Sequence, residues 1–134
     1  MHYDEFIGQV QHRARLASRG EAVSAIRATL ETFAERLAGR EADHLAAQLA
    51  KELQVHLRVP GAGAGLRLSL EEFFERVRER EGCELPASVF HARIVTEVLQ
   101  EAVSGGEIAD VRAQLPREYD RLLEAGSTEM MPGR

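Results

Sequence analysis

Two stretches of this chain are versions of each other, and that repeat limits the available folds more than any other feature. Leu37 to Leu57, LAGREADHLAAQLAKELQVHL, aligns without a gap on Val103 to Leu123, VSGGEIADVRAQLPREYDRLL. Gly39 falls on Gly105, Glu41 on Glu107, Gln48 and Leu49 on Gln114 and Leu115, Glu52 on Glu118, and Leu57 on Leu123. Upstream, Phe6, Ile7 and Val10 match Phe73, Phe74 and Val77 at an offset of 67, which falls to 66 beyond the loop at Gly82 to Pro86. A half of about 60 residues buries only about 60% of its extended-chain surface and is marginal alone, so the halves are expected to share one core. None of the matched positions forms a recognisable chemical site, so the repeat speaks to architecture before activity.

The spacing of apolar residues is helical throughout. Phe6, Ile7, Val10 and Ala14 predict a first helix from Tyr3 to about Leu16. Ser18 and Glu21 have the spacing of a capping box, in which serine accepts a free amide and glutamate reaches back. The helix they open carries Ala22, Ile26, Leu30, Phe33 and Leu37, with Gly39 as its expected left-handed stop. Leu45, Leu49, Leu53 and Leu57 predict a third helix. RVPGAGAGLRLS, from Arg58 to Ser69, has no burial pattern and reads as a linker. Ser69 and Glu72 form a second capping box, Pro86 suits the first turn of the next helix, and Gly105-Gly106 is expected to end that helix. Pro116 stands where the first half has Ala50, and an interior proline costs about 3 kcal/mol, so a break is expected at Leu115 with a short helix from Pro116 to Leu123.

The formal net charge of -5 has the wrong sign for a surface whose task is to neutralise phosphates. Lys51 is the sole lysine; glutamate, arginine, alanine and leucine dominate, all good helix formers. The single cysteine, Cys83, has no partner for an internal disulfide or a two-cysteine metal knuckle. No run of about 18 uncharged apolar residues predicts a membrane span, and MHYDEFIGQV lacks the apolar region of a secretory signal. The expected location is cytoplasmic.

Several of these segments resemble a known family. YDEF at Tyr3 to Phe6, ETFAERLAG at Glu31 to Gly39, EEFFERV at Glu71 to Val77 and SGGEIADVRAQLPREY at Ser104 to Tyr119 look like the bacterial family called domain of unknown function 2267. The resemblance spans the chain except the linker and tail, and its last motif is the most specific. It implies a helical protein and brings no catalytic residue. The family pattern has Leu-Pro in both halves, whereas the first half here has Leu49-Ala50, which puts an equivalent break there in doubt.

The polar feature shared by both halves is Arg27, Glu31 and Glu35, matched by Arg93, Glu97 and Glu101. Steps of four place each trio on one helix face. Brought together, four carboxylates and two guanidiniums could hold a divalent metal or act as an acid/base pair; the alternative is a solvated face or a structural ion-pair network. Di-metal bundles need Glu-x-x-His pairs, which this chain lacks. His2, His12, His44, His56 and His91 include no helical i, i+4 zinc pair, although His91 breaks the repeat by standing where the first half has Ala25. Arg76, Arg78 and Arg80, with Arg67 and with Arg13, Arg15 and Arg19, sketch a basic edge that interleaved glutamates, such as Glu72 beside Arg76, should cancel. Gln48 and Gln114 are expected to bond backbone at the helix breaks.

The reading is an all-α fold of two tandem repeats of three to four helices with approximate twofold symmetry. One domain at 1–124 comprises repeat one (3–57), a linker (58–69) and repeat two (70–123), followed by a flexible tail at 125–134. Its expected shared core is Phe6, Val10, Ile26, Leu30, Phe33, Leu49, Phe73, Val77, Val95, Leu99, Leu115 and Leu122. No catalytic, cofactor or metal residue is assigned. The expected function is a helical protein-interaction or regulatory module that binds a protein partner or another copy of itself. A metal-binding or hydrolytic enzyme using the trios, and a weak nucleic-acid binder, are the alternatives.

Overall fold

Helix α1, Tyr3–Arg13, buries Phe6, Ile7 and Val10 and stops three residues short of Leu16. The computed structural model describes residues 1–124; the expected tail at 125–134 lies outside them. The Leu16 amide donates to the Gln11 carbonyl (2.9 Å) and the Arg15 amide to His12 (3.2 Å), the paired bonds of a Schellman motif. That motif turns Arg15 left-handed, at φ 57°. Helix α2, Arg19–Arg36, starts at Ser18, which accepts from the Glu21 amide at 3.1 Å. Glu21 reaches back one residue further than a capping box requires, to the Ala17 amide (3.0 Å).

The end of α2 corrects two expectations. Its cap is Leu37 in extended conformation, and Gly39, at φ 66°, turns the chain only afterwards. The glycine-rich segment expected as a plain linker closes over this helix end. The Gly63 amide donates to Ala34 (2.8 Å), Leu66 to Glu35 (2.9 Å) and Gly65 to Leu37 (3.1 Å), while the Gly39 amide donates to Gly63 (3.0 Å). Helix ends leave carbonyls unsatisfied, and this clasp supplies the donors.

The third helix is not continuous. It divides into α3, Glu41–Ala47, and α4, Lys51–Gln54, followed by a 3-10 turn, Val55–Leu57. Ala50 takes φ -55° and ψ 147°, close to φ -63° and ψ 160° at Pro116, so both halves break at matched positions and proline is not required. Side-chain bonding takes its place: the Gln54 side chain donates locally to the Leu49 carbonyl (3.0 Å), and Gln48 is anchored on the other half. Because Ala50 already has a proline φ and its amide donates to no backbone acceptor among the described residues, Ala50→Pro is expected to stabilise the fold by about 0.4–1 kcal/mol through the unfolded chain. Urea titration of the two proteins checks this; a loss of stability would contradict it.

Helix α5, Leu70–Glu81, has the full capping box: the Glu72 amide donates to Ser69 Oγ (3.0 Å) and the Ser69 amide to Glu72 Oε1 (2.8 Å). It ends at Gly82, φ 80°. Helix α6, Leu85–Ala102, has Pro86 in its first turn. Gly105-Gly106 does not end α6 but opens α7, Gly105–Ala113, because Ser104 caps that helix by accepting from the Glu107 amide at 3.1 Å. The predicted break at Leu115 follows, then a 3-10 turn, Arg117–Tyr119, and α8, Asp120–Leu123.

Among the described residues there is no β-strand and no helix long and apolar enough to cross a membrane. A single buried cluster draws on both halves and contains the expected core residues, with Leu115 only partly buried at its margin. α1 packs on α2 and α6, and α5 on α6 and α2. The first helix of each half therefore lies against the second helix of the other, and this crossing positions the ion pairs described next.

Candidate functional site

The two Arg/Glu trios do not gather into one cluster; each is closed by an arginine from the opposite half. From α5, Arg80 contacts Glu35 at 2.6 Å and Glu31 at 3.5 Å and donates to the Thr32 hydroxyl at 2.8 Å. Arg76 adds a bond to Glu35 at 3.1 Å, and Arg27 reaches Glu31 only at 4.0 Å. On the other side Arg13 of α1 contacts Glu97 at 3.0 Å and Glu101 at 2.8 Å, while Arg93 takes no part. Arg13 and Arg80 stand at positions that align in the sequence, as do their carboxylate partners.

The chemistry of these clusters is that of paired charges. The hydrogen bond from Arg13 holds the Glu101 carboxyl below its usual range, and the same bond pushes the Arg13 guanidinium up. A general acid or base works best with a pKa near the operating pH, and Glu101 is moved away from it. The basic edge is interrupted for the same reason: Arg78 pairs with Glu75 (2.9 Å) and Arg19 with Asp4 (2.7 Å). Arg76 bonds Glu35, not Glu72, which is engaged in its capping box.

Gln48 and Gln114 bond to backbone as expected, but across the molecule instead of at their own breaks. Gln48 accepts from the Ser104 amide at 2.7 Å and donates to the Ser104 hydroxyl at 3.3 Å. Gln114 accepts from the Ala38 amide at 2.7 Å and donates to the Ala38 carbonyl at 3.3 Å. Between these latches, Glu41 in the first turn of α3 meets Glu107 in the first turn of α7, with Asp110 nearby. Burial, then the hydrogen bond and charge of Glu41, push the Glu107 carboxyl up to about 8. Beside a second carboxylate Glu107 cannot ionise cheaply, so it keeps its proton to higher pH.

A carboxyl whose folded pKa is raised contributes stability that is full below its ordinary value near 4.5 and lost as pH rises toward about 8. Glu107→Gln keeps a donor facing Glu41 and removes the ionisation. The variant is expected to exceed the wild type by on the order of 1–2 kcal/mol at pH 9 and to match it near pH 5. Urea midpoints at pH 5, 7 and 9 check this; parallel curves for the two proteins would contradict it.

Two further features stand outside these paired contacts. Glu81 at the end of α5, Cys83 in the following loop and His91 on α6 each place a ligand-capable atom within 4.8 Å of those of the other two. His91 Nδ1 and Glu81 Oε2 are hydrogen-bonded, and burial followed by the Glu81 charge pushes the Cys83 thiol up. Sequence spacing gave no sign of this group, since helix end, loop and next helix are joined only by folding; the substitution of His91 for an alanine was the one legible signal. The second feature is an open depression between α1 and α6, lined by Gly8, Gln11, His12, Arg13, Arg15, Leu16 and Glu97.

No curated protein matches the chain. A family model does, over residues 3–122, from the first residue of α1 to within α8. By that match the chain belongs to the family described as Uncharacterized conserved protein (DUF2267).

Proposed function

We propose that the protein is a cytoplasmic interaction or regulatory module, built of two tandem copies of one helical unit about an approximate twofold axis. It takes an acidic segment of a protein partner, or of a second copy, in the depression between α1 and α6. Support for the twofold arrangement comes from links that occur in matched pairs: Arg13 and Arg80 on opposite glutamates, and Gln48 and Gln114 on opposite turns.

Arg15 carries the docking reading. It sits in the wall of the depression in left-handed backbone, which costs a non-glycine residue about 1–2 kcal/mol. At the matched place α5 uses Gly82, which adopts this conformation freely. Strained backbone of this kind concentrates at functional sites. Arg15 and His12, beside an Arg13 already paired with Glu97 and Glu101, favour a carboxylate-bearing segment, and Leu16 offers it apolar contact. The chain's own net charge of -5 makes the face of a second copy an eligible occupant. The trios give the enzyme reading no open acid, base or metal position, since both are occupied by arginine.

Arg15→Gly is the test, because it relieves the strain while removing the charge. We expect a gain of about 1 kcal/mol in stability together with loss of salt-sensitive self-association or partner capture, read by ultracentrifugation and by affinity capture beside the wild type. A wild type that stays monomeric and captures nothing, or a variant that binds as the wild type does, would overturn the reading.

A further inference from the structure

We propose that Glu81, Cys83 and His91 form a binding site for a borderline divalent metal ion of the zinc class, with three protein ligands and a fourth position toward solvent. The donor set is the first reason. Thiolate, imidazole and carboxylate together suit zinc, whereas calcium and magnesium take oxygen alone. Ligand atoms around a tetrahedral zinc stand roughly 3–4 Å apart, given bonds of about 2.0–2.3 Å, so a group already within 4.8 Å needs only small side-chain movements to close on an ion.

Burial is the second and independent reason. The Glu81 side chain is 3% exposed, one of its oxygens is bonded to His91, and the other, Oε1, has no hydrogen-bond partner. A buried carboxylate oxygen left in this way costs free energy unless something positive reaches it. The fold itself does not demand these groups. At the matched places the first half has Ala14, 4% exposed, and Ala25, fully buried, and packs without any polar side chain there. The second half alone has exchanged two core alanines for a carboxylate and an imidazole and set a cysteine in the loop between them. Cys83 is half-buried at the loop surface, which gives an ion its path of entry.

The geometry differs from the Arg/Glu trios in what it leaves open. Each trio is neutralised by a guanidinium, while the Glu81 group holds no lysine or arginine among its salt-bridge partners. It also lies apart from the residues lining the depression of α1, so metal binding and partner binding stand or fall separately.

The test is titration of the full chain, freed of metal by a chelator, with Co2+ alone and then with Zn2+. One equivalent of Co2+ is expected to bind with a thiolate-to-cobalt charge-transfer band, and Zn2+ to abolish that band by displacement. Cys83→Ser removes the band, and it and His91→Ala weaken binding by about 100-fold or more, above the 10–100-fold typical of losing an outer-shell partner. Zn2+ raises the melting temperature of the wild type and not that of Cys83→Ser, which keeps its packing at a loop position and serves where His91→Ala fails to fold. Absence of the band in the wild type, its persistence in Cys83→Ser, or an equal Zn2+ shift in melting temperature for both proteins would overturn the site and assign the metal to scattered surface histidines.

Discussion

Phe73→Ala is expected to lower stability by about 3–5 kcal/mol, the range for removing a buried phenylalanine. Phe73 has no exposed surface. Its ring stands edge-on to Phe33 of α2 at 4.8 Å and to Tyr119 at 5.7 Å, so one side chain from α5 bridges the first half and the end of the second. Aromatic pairs contribute about 0.5–1.5 kcal/mol beyond burial, which places this loss at the upper part of the range. A domain of this size has about 5–15 kcal/mol in hand, so the variant is left marginal, with a melting temperature lower by roughly 10–20 °C. Thermal and urea unfolding followed by circular dichroism check the size. A loss below about 1 kcal/mol would mean that the ring does not bridge the halves.

Gly63→Ala is the second large effect, and it comes from backbone, not core. Gly63 has φ 86°, where a side chain is strained, and a methyl group there would stand 2.5 Å from the Gly39 carbonyl oxygen. Backbone must move to admit it. The bonds that suffer are those of the clasp, from Gly63 to Ala34 (2.8 Å) and from Gly39 to Gly63 (3.0 Å). Left-handed strain of about 1–2 kcal/mol and the loss of two hydrogen bonds of about 1 kcal/mol each give an expected cost of about 3–4 kcal/mol. The same change at Gly61, where the nearest atom is a movable Glu35 Cγ at 3.7 Å, brings strain without collision and is expected to cost less. Urea titration ranks the two variants, and an equal effect would show that the clasp tolerates separation.

Much of this architecture could be read from residue spacing, because local rules and tertiary packing agree at most positions. Ser69 and Glu72 mark a helix start that the structure bears out, with Ser69 as the cap of a helix from Leu70, and stripes such as Ile26, Leu30 and Phe33 all face the core. Most failures occur where a contact from the other half decides the outcome, and one is a local cap. Ala50 is the best of helix formers, yet the chain breaks there, with Gln48 held on Ser104 of the other half and the neighbouring Gln54 bonding Leu49. Gly105-Gly106 looks like a stop, but Ser104 ahead of it and Glu107 after it make a start. The trios were legible as matched faces, and their partners were not, since Arg13 lies 84 and 88 residues from its glutamates. The glycines at 61, 63 and 65 signalled irregular backbone, and nothing in their order told that three of the segment's amides close the end of α2. The Glu41–Glu107 contact required knowing that the two matched first turns face each other.

Interlocking of the halves is the claim on which the matched ion pairs, the glutamine latches and the single core all depend, and native-state hydrogen exchange on the full chain tests it most directly. The slowest amides of α2 and α6 are expected to exchange through one global opening with the same free energy, and Phe73→Ala should lower the protection of both helices by the same amount. If Phe73→Ala lowered protection in α5 and α6 while α2 kept that of the wild type, the halves would be independent units and the interlocked arrangement would be contradicted.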